Sequence, residues 1–247
     1  MNPVPARLET LPPAQRALWP QLSEVASDFV LYGGTALSLQ VGGRTSIDFD
    51  LFSHEPLDHE RLAKQFSFLQ GGELRKRARD TAIFVVGAGA NAVSVSFFGG
   101  LAIGRVGEPI QFADNGLFAA SLLDLAAQKI KVIQQRAEEK DYLDIHKLLT
   151  EGITLEMALG AAQALYPEFN PAISLKALSY FGDVSRLPPE IQRDLRIAAS
   201  RVRDIDPIPR QSRSLFPNPG LTADAPDFDS SWDRSRPVER DGPEMEI

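Results

Sequence analysis

The spacing of apolar positions predicts a chain that is mixed α/β in its first half and helical in its second. Short apolar or alternating runs predict strands, and apolar residues at helical spacing predict helices. The predicted strands lie at 29–32, 47–52, 73–79, 82–86 and 92–98. The predicted helices lie at 13–27, 35–41, 59–66, 121–150, 154–165, 174–181 and 188–202. The strands therefore precede the long helices.

The C-terminal segment 207–247 differs in composition from the rest of the chain. It holds seven of the eighteen Pro residues, mixed with Gly, Ser, Asp and Arg. Such a segment buries too little apolar surface to offset the entropy lost on ordering it. We therefore expect this tail to be disordered and the folded part to cover about residues 10–206.

Composition excludes several classes of protein. The chain has 247 residues, of which 43% are hydrophobic and 24% charged, and these are globular values. The absence of Cys excludes a disulfide scaffold, a zinc–thiolate site and a Cys nucleophile. The N-terminus lacks the apolar core of a signal peptide, and glycines interrupt the uncharged stretch 81–104, so we expect a cytoplasmic protein without a membrane span. The net charge of −7 argues against a general nucleic-acid coat.

Segment 29–53 combines the features of a phosphate site and a metal site. It predicts a strand, then Gly33-Gly34, a helix start, and a second strand that carries Asp48 and Asp50. Side chains two apart in a strand share a face, and two adjacent carboxylates repel each other unless a cation lies between them. Mg²⁺ takes carboxylate and phosphate oxygens, and a helix N-terminus favours phosphate. This order of features predicts metal-dependent nucleotidyl transfer.

Each feature alone is weak evidence. An isolated Asp-x-Asp is often a solvated strand edge, and an isolated Gly-Gly is often only a turn. A glycosyltransferase is an alternative, although its Asp-x-Asp motif usually follows a longer run of strands and helices than the single unit found here. A second cluster, basic residues between 122 and 149, taken by itself favours a solvated helix face that carries i,i+4 ion pairs.

Three motifs together resemble one protein family. They are Gly33-Gly34-Thr35-Ala36-Leu37, Arg44-x-Ser46-x-Asp48-x-Asp50, and Lys129-x6-Arg136-x3-Lys140-Asp141-x2-Asp144. In this combination the chain resembles the AbiEii/AbiGii toxin family of nucleotidyltransferases, a branch of the DNA polymerase β-like superfamily. The resemblance covers about residues 10–205 and includes the stretches 169–171 and 175–181.

The resemblance implies a fold and a set of site residues. The fold would be α/β (α+β), with a polymerase β-like nucleotidyltransferase lobe and mixed sheet at 10–118, an all-α lobe at 119–206 and the disordered tail at 207–247. Asp48 and Asp50 would bind Mg²⁺ (or Mn²⁺) and act in catalysis with Lys129. The residues implied to bind the nucleotide, or to order the helix that does, are Gly33, Gly34, Thr35, Arg44, Ser46, Arg136, Lys140, Asp141 and Asp144.

The resemblance also implies an activity and partners. The protein would transfer a nucleotide from a nucleoside triphosphate to an RNA acceptor, such as a tRNA end. It would serve as the toxin of a toxin–antitoxin or phage-defence system. Its protein partner would be an antitoxin encoded by a neighbouring gene.

Two positions depart from the family pattern. Gly43 stands where many relatives have His. Polymerase β-like enzymes generally bring a third carboxylate from a nearby strand, and Ser96 stands at or near that place in 93–98. A Ser hydroxyl is a poor general base at neutral pH. The alternative is therefore a catalytically impaired nucleotide-binding module that acts through partner binding.

A basic patch, Arg75-Lys76-Arg77-x-Arg79, leaves two interpretations open. It could bind an RNA backbone by neutralising phosphates. It could also protect an edge strand, because charged side chains on an edge discourage aggregation, and the sequence slightly favours this second interpretation.

Overall fold

The computed structural model describes residues 2–217 of the chain. Eight α-helices lie within this part: α1 (Pro13–Leu18), α2 (Gly33–Val41), α3 (His59–Gln65), α4 (Leu122–Val132), α5 (Glu139–Thr150), α6 (Leu155–Leu165), α7 (Pro171–Ala177) and α8 (Pro189–Arg201). Short 3-10 turns lie at Leu8–Thr10, Trp19–Val25, Ser67–Leu69, Gly89–Asn91 and Gly182–Val184.

Seven strands form one mixed sheet in the described part of the chain. They are β1 (Val30–Tyr32), β2 (Asp48–Phe52), β3 (Glu73–Ala78), β4 (Thr81–Val86), β5 (Val93–Phe98), β6 (Ile110–Gln111) and β7 (Phe118–Ala119). Their order across the sheet is β3-β4-β5-β2-β1-β7-β6. β2 runs antiparallel to β1 and parallel to β5, and β1 runs parallel to β7. The mixed sheet followed by helices confirms the predicted fold class.

The two faces of the central strands have opposite character. On β2, Phe49 and Leu51 are fully buried, and on β5 Val95 and Phe97 pair with them on the same face. Because side chains alternate along a strand, Asp48 and Asp50 lie on the other face. Burial of the apolar face fixes the register, since a slip by one residue would bury the carboxylates instead. The core therefore determines where the acidic side chains lie.

The predicted helix 121–150 is wrong as a single element. α4 ends at Val132, a turn follows, and α5 begins at Glu139. No Gly or Pro lies in this turn, so local sequence gives no signal of a break. The physical reason is tertiary, because folding back buries Ile130 and Ile145 and lets the buried Lys129 meet two aspartates on α5. The basic residues of this region therefore do not lie along one straight helix face.

Other element predictions needed smaller corrections. The predicted helix 13–27 is a short α-helix followed by a 3-10 segment, and α2 begins at Gly33 rather than residue 35. The helix predicted at 174–181 lies at Pro171–Ala177. The two-residue strands β6 and β7 were not predicted, because a pair of residues carries no periodicity. The uncharged stretch 81–104 forms β4 and β5, and the described residues contain no helix long and apolar enough to cross a membrane.

The start of the predicted disordered tail is also corrected. The Arg105 side chain is 3% exposed, and it donates hydrogen bonds to the Phe216 carbonyl and the Gln211 side chain. Leu215 is buried, and Phe216 packs edge-to-face on Phe118. Residues 207–217 are therefore part of the same compact unit as the sheet and helices. The average composition of the tail did not reveal that individual apolar side chains in this part are buried. The rest of the predicted tail, 218–247, lies outside the described residues, and the expected boundary between lobes at 118/119 stays a prediction.

Candidate active site

The β1–α2 junction approaches the acidic strand so closely that only glycine fits there. Tyr32 pairs with Asp50 in the sheet, which brings the following Gly33 beside the carboxylate. A Cβ atom on Gly33 would lie 2.4 Å from Asp50 Oδ2, and Gly33 has φ +73°. A Cβ on Gly34 would lie 2.4 Å from an Arg44 nitrogen and 3.0 Å from Ser46 Oγ. These contacts give the Gly-Gly motif its physical reason.

Asp50 is a partly buried carboxylate whose surroundings disfavour its charge. Burial raises the pKa of Asp50 and the neighbouring Asp48 raises it further, while Lys129 and a hydrogen bond from Ser96 act in the opposite direction. The net effect is a raised pKa. Ser96 pairs with Asp50 across the parallel β2–β5 ladder, so its hydroxyl lies where a third carboxylate was expected. Two carboxylates and one hydroxyl therefore form this acidic wall.

Lys129 lies on α4 and bridges two aspartates of α5. Its Nζ atom lies 2.9 Å from Asp141 Oδ1 and 2.7 Å from Asp144 Oδ2, and all three residues are buried. Burial alone would raise the pKa of Asp141, but Lys129 and Arg136 together hold it below its ordinary value. The ion pairs join α4 to α5 and fix the position of the Lys129 ammonium group.

Arg44 extends this network from the loop before β2 to α5. Its Nε and Nη2 atoms each lie 2.8 Å from a different carboxylate oxygen of Asp144. Such a bidentate pair fixes the plane of the guanidinium group as well as its position. Asp144 therefore holds Arg44 and Lys129 at the same time.

Arg136 and Lys140 are the more exposed basic residues of the site. Arg136 Nε lies 3.0 Å from Asp141 Oδ2, and Lys140 Nζ lies 2.8 Å from Glu138 Oε2. Their side chains are 46% and 44% exposed. Because these cations remain accessible to solvent, they can turn towards a polyanionic ligand.

These groups surround one cleft of about 410 Å³. Nine of the twelve predicted site residues line it: Gly33, Gly34, Arg44, Ser46, Asp48, Asp50, Lys129, Arg136 and Lys140. The carboxylates lie on the sheet wall and the basic groups on the helical wall. The structure thus brings together the distant motifs that the sequence suggested belong to one site.

Three predicted residues do not line the cleft. Asp141 and Asp144 lie behind it and hold Lys129 and Arg44, so their geometry fits the ordering role. Thr35 is buried, and its hydroxyl donates a hydrogen bond to the Asp48 carbonyl. That contact ties α2 to β2, and the predicted contact of Thr35 with the nucleotide stays a prediction.

Sequence reasoning missed Gln128. Its Oε1 atom accepts a hydrogen bond of 3.3 Å from the Gly33 amide, and its side chain lines the cleft. It thereby connects the N-terminus of α2 with α4. A helical polar residue beside Lys129 carries no signal of its own in the sequence, because the partner lies 95 positions away.

Among residues 2–217 no group of three or more His, Cys, Asp or Glu side chains is arranged to hold a metal ion. The carboxylate pair on β2 is therefore the donor set that the cleft offers. Its chemistry still fits a hard divalent cation, since Mg²⁺ is commonly bound by one or two carboxylates together with substrate phosphates.

One solved structure supports the fold, and two further proteins are similar to this chain. A structure from H. pylori, described as that of a candidate nucleotidyltransferase, matches with TM-score 0.51 and 17% identity, over 76% of this chain and 92% of that one. A nucleotidyltransferase-like antigenic protein from Paracoccidioides brasiliensis matches with TM-score 0.44 and 16% identity, over 78% and 94% of the two chains. An uncharacterized protein of Aquifex aeolicus (strain VF5) is 31% identical over 162 residues, which are 64% of this chain and 76% of that protein.

A family model gives the assignment. Residues 16–234 match the model described as the nucleotidyl transferase AbiEii toxin of type IV toxin–antitoxin systems. The match spans most of the chain and includes every motif that lines the cleft. Membership implies a nucleoside triphosphate substrate and an antitoxin partner. The chain belongs to the AbiEii toxin family of nucleotidyltransferases.

Proposed function

We propose that the protein transfers a nucleotide from a nucleoside triphosphate to an RNA acceptor, such as a tRNA end, with Mg²⁺ or Mn²⁺ as cofactor. The single observation that carries this proposal is the division of the cleft into a carboxylate wall and a basic wall with the N-terminus of a helix between them. The setting that fits is the cytoplasm, where triphosphates and RNA both occur.

The carboxylates of the cleft would bind the metal ion, and the start of α2 would bind phosphate. Asp48 and Asp50 would hold the divalent cation, which when bound polarises the α-phosphate and orients the attacking oxygen. Gly33 and Gly34 at the start of α2 line the same cleft, and helix N-termini favour phosphate. Gly33 and Gly34 allow a ligand to approach that backbone without a side chain in the way.

The basic wall would neutralise the triphosphate from the opposite side. Lys129 is held in place by two aspartates, so it reaches the cleft in a fixed position without a conformational search. Arg136 and Lys140 are exposed enough to exchange their carboxylate partners for phosphate. Arg44 and Ser46 close the rim beside Gly34.

Labelling tests this proposal directly. The protein is incubated with each radiolabelled triphosphate and total tRNA, with MgCl₂ or with EDTA. We expect label in RNA with one or more triphosphates, only when the metal is present, and none with Asp48→Asn. The control variant is Glu168→Gln, which removes an exposed carboxylate outside the cleft and should label RNA as the wild type does.

A second function is favoured by one specific observation. Ser96 pairs with Asp50 at the place expected for a third carboxylate, and the missing acid favours a module that binds nucleotide without turnover. Such a module would bind triphosphate and metal, label no RNA, and still act on its partner. Two results together would exclude this alternative. Asp48→Asn, expressed at the wild-type level, would relieve growth arrest, and RNA labelling would be lost in the same cells.

A further inference from the structure

The basic strand β3 lies at the open edge of the sheet that carries the active-site carboxylates. β3 is the first strand in the sheet order and all six of its residues are exposed. The Arg75 side chain is 60% exposed, although it lies 2.9 Å from a carboxylate oxygen of Glu73. The edge is therefore accessible along its whole length.

The sheet register connects this edge to the cleft in a straight row. Asp50 pairs with Ser96, Ser96 with Ile83, and Ile83 with Lys76. Paired residues share a face, so Lys76 lies on the same face of the sheet as Asp50. Three strand spacings of about 4.8 Å separate them, or roughly 14 Å.

An irregularity in β3 adds a second basic residue to this part of the edge. Leu74 pairs with Phe84 and Lys76 with Ile83, so Arg75 is the extra residue of a shifted register. Bulges of this kind redirect side chains at sheet edges. Arg77 pairs with Ala82, and its side chain therefore lies on the opposite face of the sheet.

The surface between the cleft and the edge carries no charged side chain, and apart from the buried Ser96 it is partly exposed. Ile83 and Val85 on β4 and Ser94 on β5 are partly exposed and share the face of Asp48 and Asp50. Partly exposed apolar side chains beside hydroxyls suit nucleotide bases, and basic side chains at the far end suit phosphates. A stacked single strand carries a phosphate about every 3.4 Å, so the row spans about four nucleotides.

We propose that this acceptor surface, formed by Arg75, Lys76, Ile83, Val85 and Ser94, binds the single-stranded 3′ end of the RNA acceptor. The terminal nucleotide lies at Asp48 and Asp50, and phosphates a few nucleotides upstream lie against Arg75 and Lys76. This inference rests on the proposed RNA acceptor, because its position depends on which end of the strand reacts. The proposal gives Arg75 and Lys76 a role that Arg77, on the opposite face of β3, does not have. Protection of the sheet edge would depend on all three residues alike.

The test compares basic residues on opposite faces of one strand. Arg75→Gln/Lys76→Gln removes two charges from the acceptor surface. The matched controls are Arg77→Gln, on the other face of β3, and Arg186→Gln/Arg193→Gln, two exposed residues far along the chain. Fluorescence anisotropy with a short 5′-labelled single-stranded RNA measures affinity across a salt series, and labelling kinetics with tRNA measure KM and kcat.

We expect Arg75→Gln/Lys76→Gln to weaken RNA binding about tenfold or more and to lower the slope of log affinity against log salt by about 1.4, at 0.7 per phosphate contact. KM for tRNA should rise by a similar factor, with kcat and triphosphate affinity unchanged. The controls should stay within about twofold of the wild type. The conservative variant Arg75→Lys should retain the slope, which shows that loss in the double variant reflects charge and not misfolding.

Other outcomes overturn the proposal in distinguishable ways. Equal losses in the double variant and in Arg77→Gln would mean that β3 acts through general charge or edge protection. Unchanged RNA binding with weakened neutralisation by the antitoxin would assign the surface to a protein partner. If the wild type labels tRNA and the double variant matches it, only the acceptor surface fails. If the wild type neither labels nor binds RNA, the proposed function itself fails.

Discussion

Asp50→Asn should stabilise the metal-free protein while abolishing transfer. The Asp50 carboxylate is partly buried and shares its strand face with Asp48, and both effects raise its pKa. The two residues are two positions apart in a strand, which places their Cα atoms about 7 Å apart. At an effective dielectric constant near 20, two like charges at that distance repel by about 2.4 kcal/mol. Lys129 and Ser96 offset part of this cost, so we expect a net gain of about 1 kcal/mol on removing the charge.

Thermal unfolding measures this gain. For a chain of this size, 1 kcal/mol corresponds to a rise in Tm of about 2–4 °C, and it should appear in EDTA near pH 7.5. Addition of MgCl₂ with mixed triphosphates should reverse the order, because ligand binding at 100 times Kd stabilises the wild type by about 2.7 kcal/mol. The variant lacks one of the two carboxylates for the cation and gains less.

The pH dependence provides an independent check on the same reasoning. A raised folded-state pKa means that ionisation of Asp50 costs stability above that pKa, whereas below the unfolded value of about 3.9 the carboxyl is neutral in both states. The difference between variant and wild type should therefore vanish as the pH falls to that range. Glu168→Gln is the control and should shift Tm by no more than the ordinary scatter of surface substitutions. A lower Tm for Asp50→Asn in EDTA would refute the electrostatic account.

Three further predictions address the neighbours of Asp50. Ser96→Asp should supply the missing third carboxylate, lower the metal-free Tm through added repulsion, and tighten Mn²⁺ binding measured by calorimetry; unchanged Mn²⁺ affinity would contradict this. Asp141→Ala should lower the free energy of unfolding in urea by about 3 kcal/mol, which is the lower end for breaking a buried ion pair, because Lys129 keeps its second partner. Since the pKa of Asp141 is lowered, this stabilisation should disappear as the pH falls through that pKa. A loss below 1 kcal/mol at pH 7 would contradict the prediction. Gly33→Ala should lower the free energy of unfolding by about 1–2 kcal/mol because of the positive φ at this position. It should reduce kcat more than it reduces metal affinity, because the new Cβ displaces the Asp50 carboxylate while Asp48 still binds the metal. A normal kcat would contradict the close approach of Gly33 to Asp50.

Sequence patterns predicted the carboxylate wall well because alternation in a strand is a local rule. Once 47–52 is a strand, Asp48 and Asp50 must share a face, and buried Phe49 and Leu51 determine which face. Residue types and spacing indicated Gly33, Gly34 and the Asp pair, whereas the basic residues of the cleft were implied by the family resemblance. Alternation put Ser94 and Ser96 on one face, the resemblance implied that Ser96 stands at or near the third-carboxylate position, and the β2–β5 register pairs it with Asp50.

The helical wall could not be predicted in the same way. Residues 133–138 have good helix propensity, so the turn between α4 and α5 is explained by long-range contacts, namely the burial of Ile130 and Ile145 and the pairing of Lys129 with two aspartates of α5. The hydrogen bond from Gly33 to Gln128 joins positions 95 apart and leaves no trace in local spacing. Propensity describes neighbours along the chain, and these contacts depend on neighbours in space.

The hydrogen bonds from Arg105 to Gln211 and Phe216 determine where the chain can be truncated. A fragment ending at residue 206 would leave this buried guanidinium group with Gly107 and Glu108 but without the Phe216 carbonyl and Gln211. It would also remove the buried Leu215 side chain and the edge-to-face contact between Phe216 and Phe118. Soluble expression should therefore survive a cut after residue 217 and decline for cuts before 211, so the natural boundary for recombinant work lies beyond the last predicted helix.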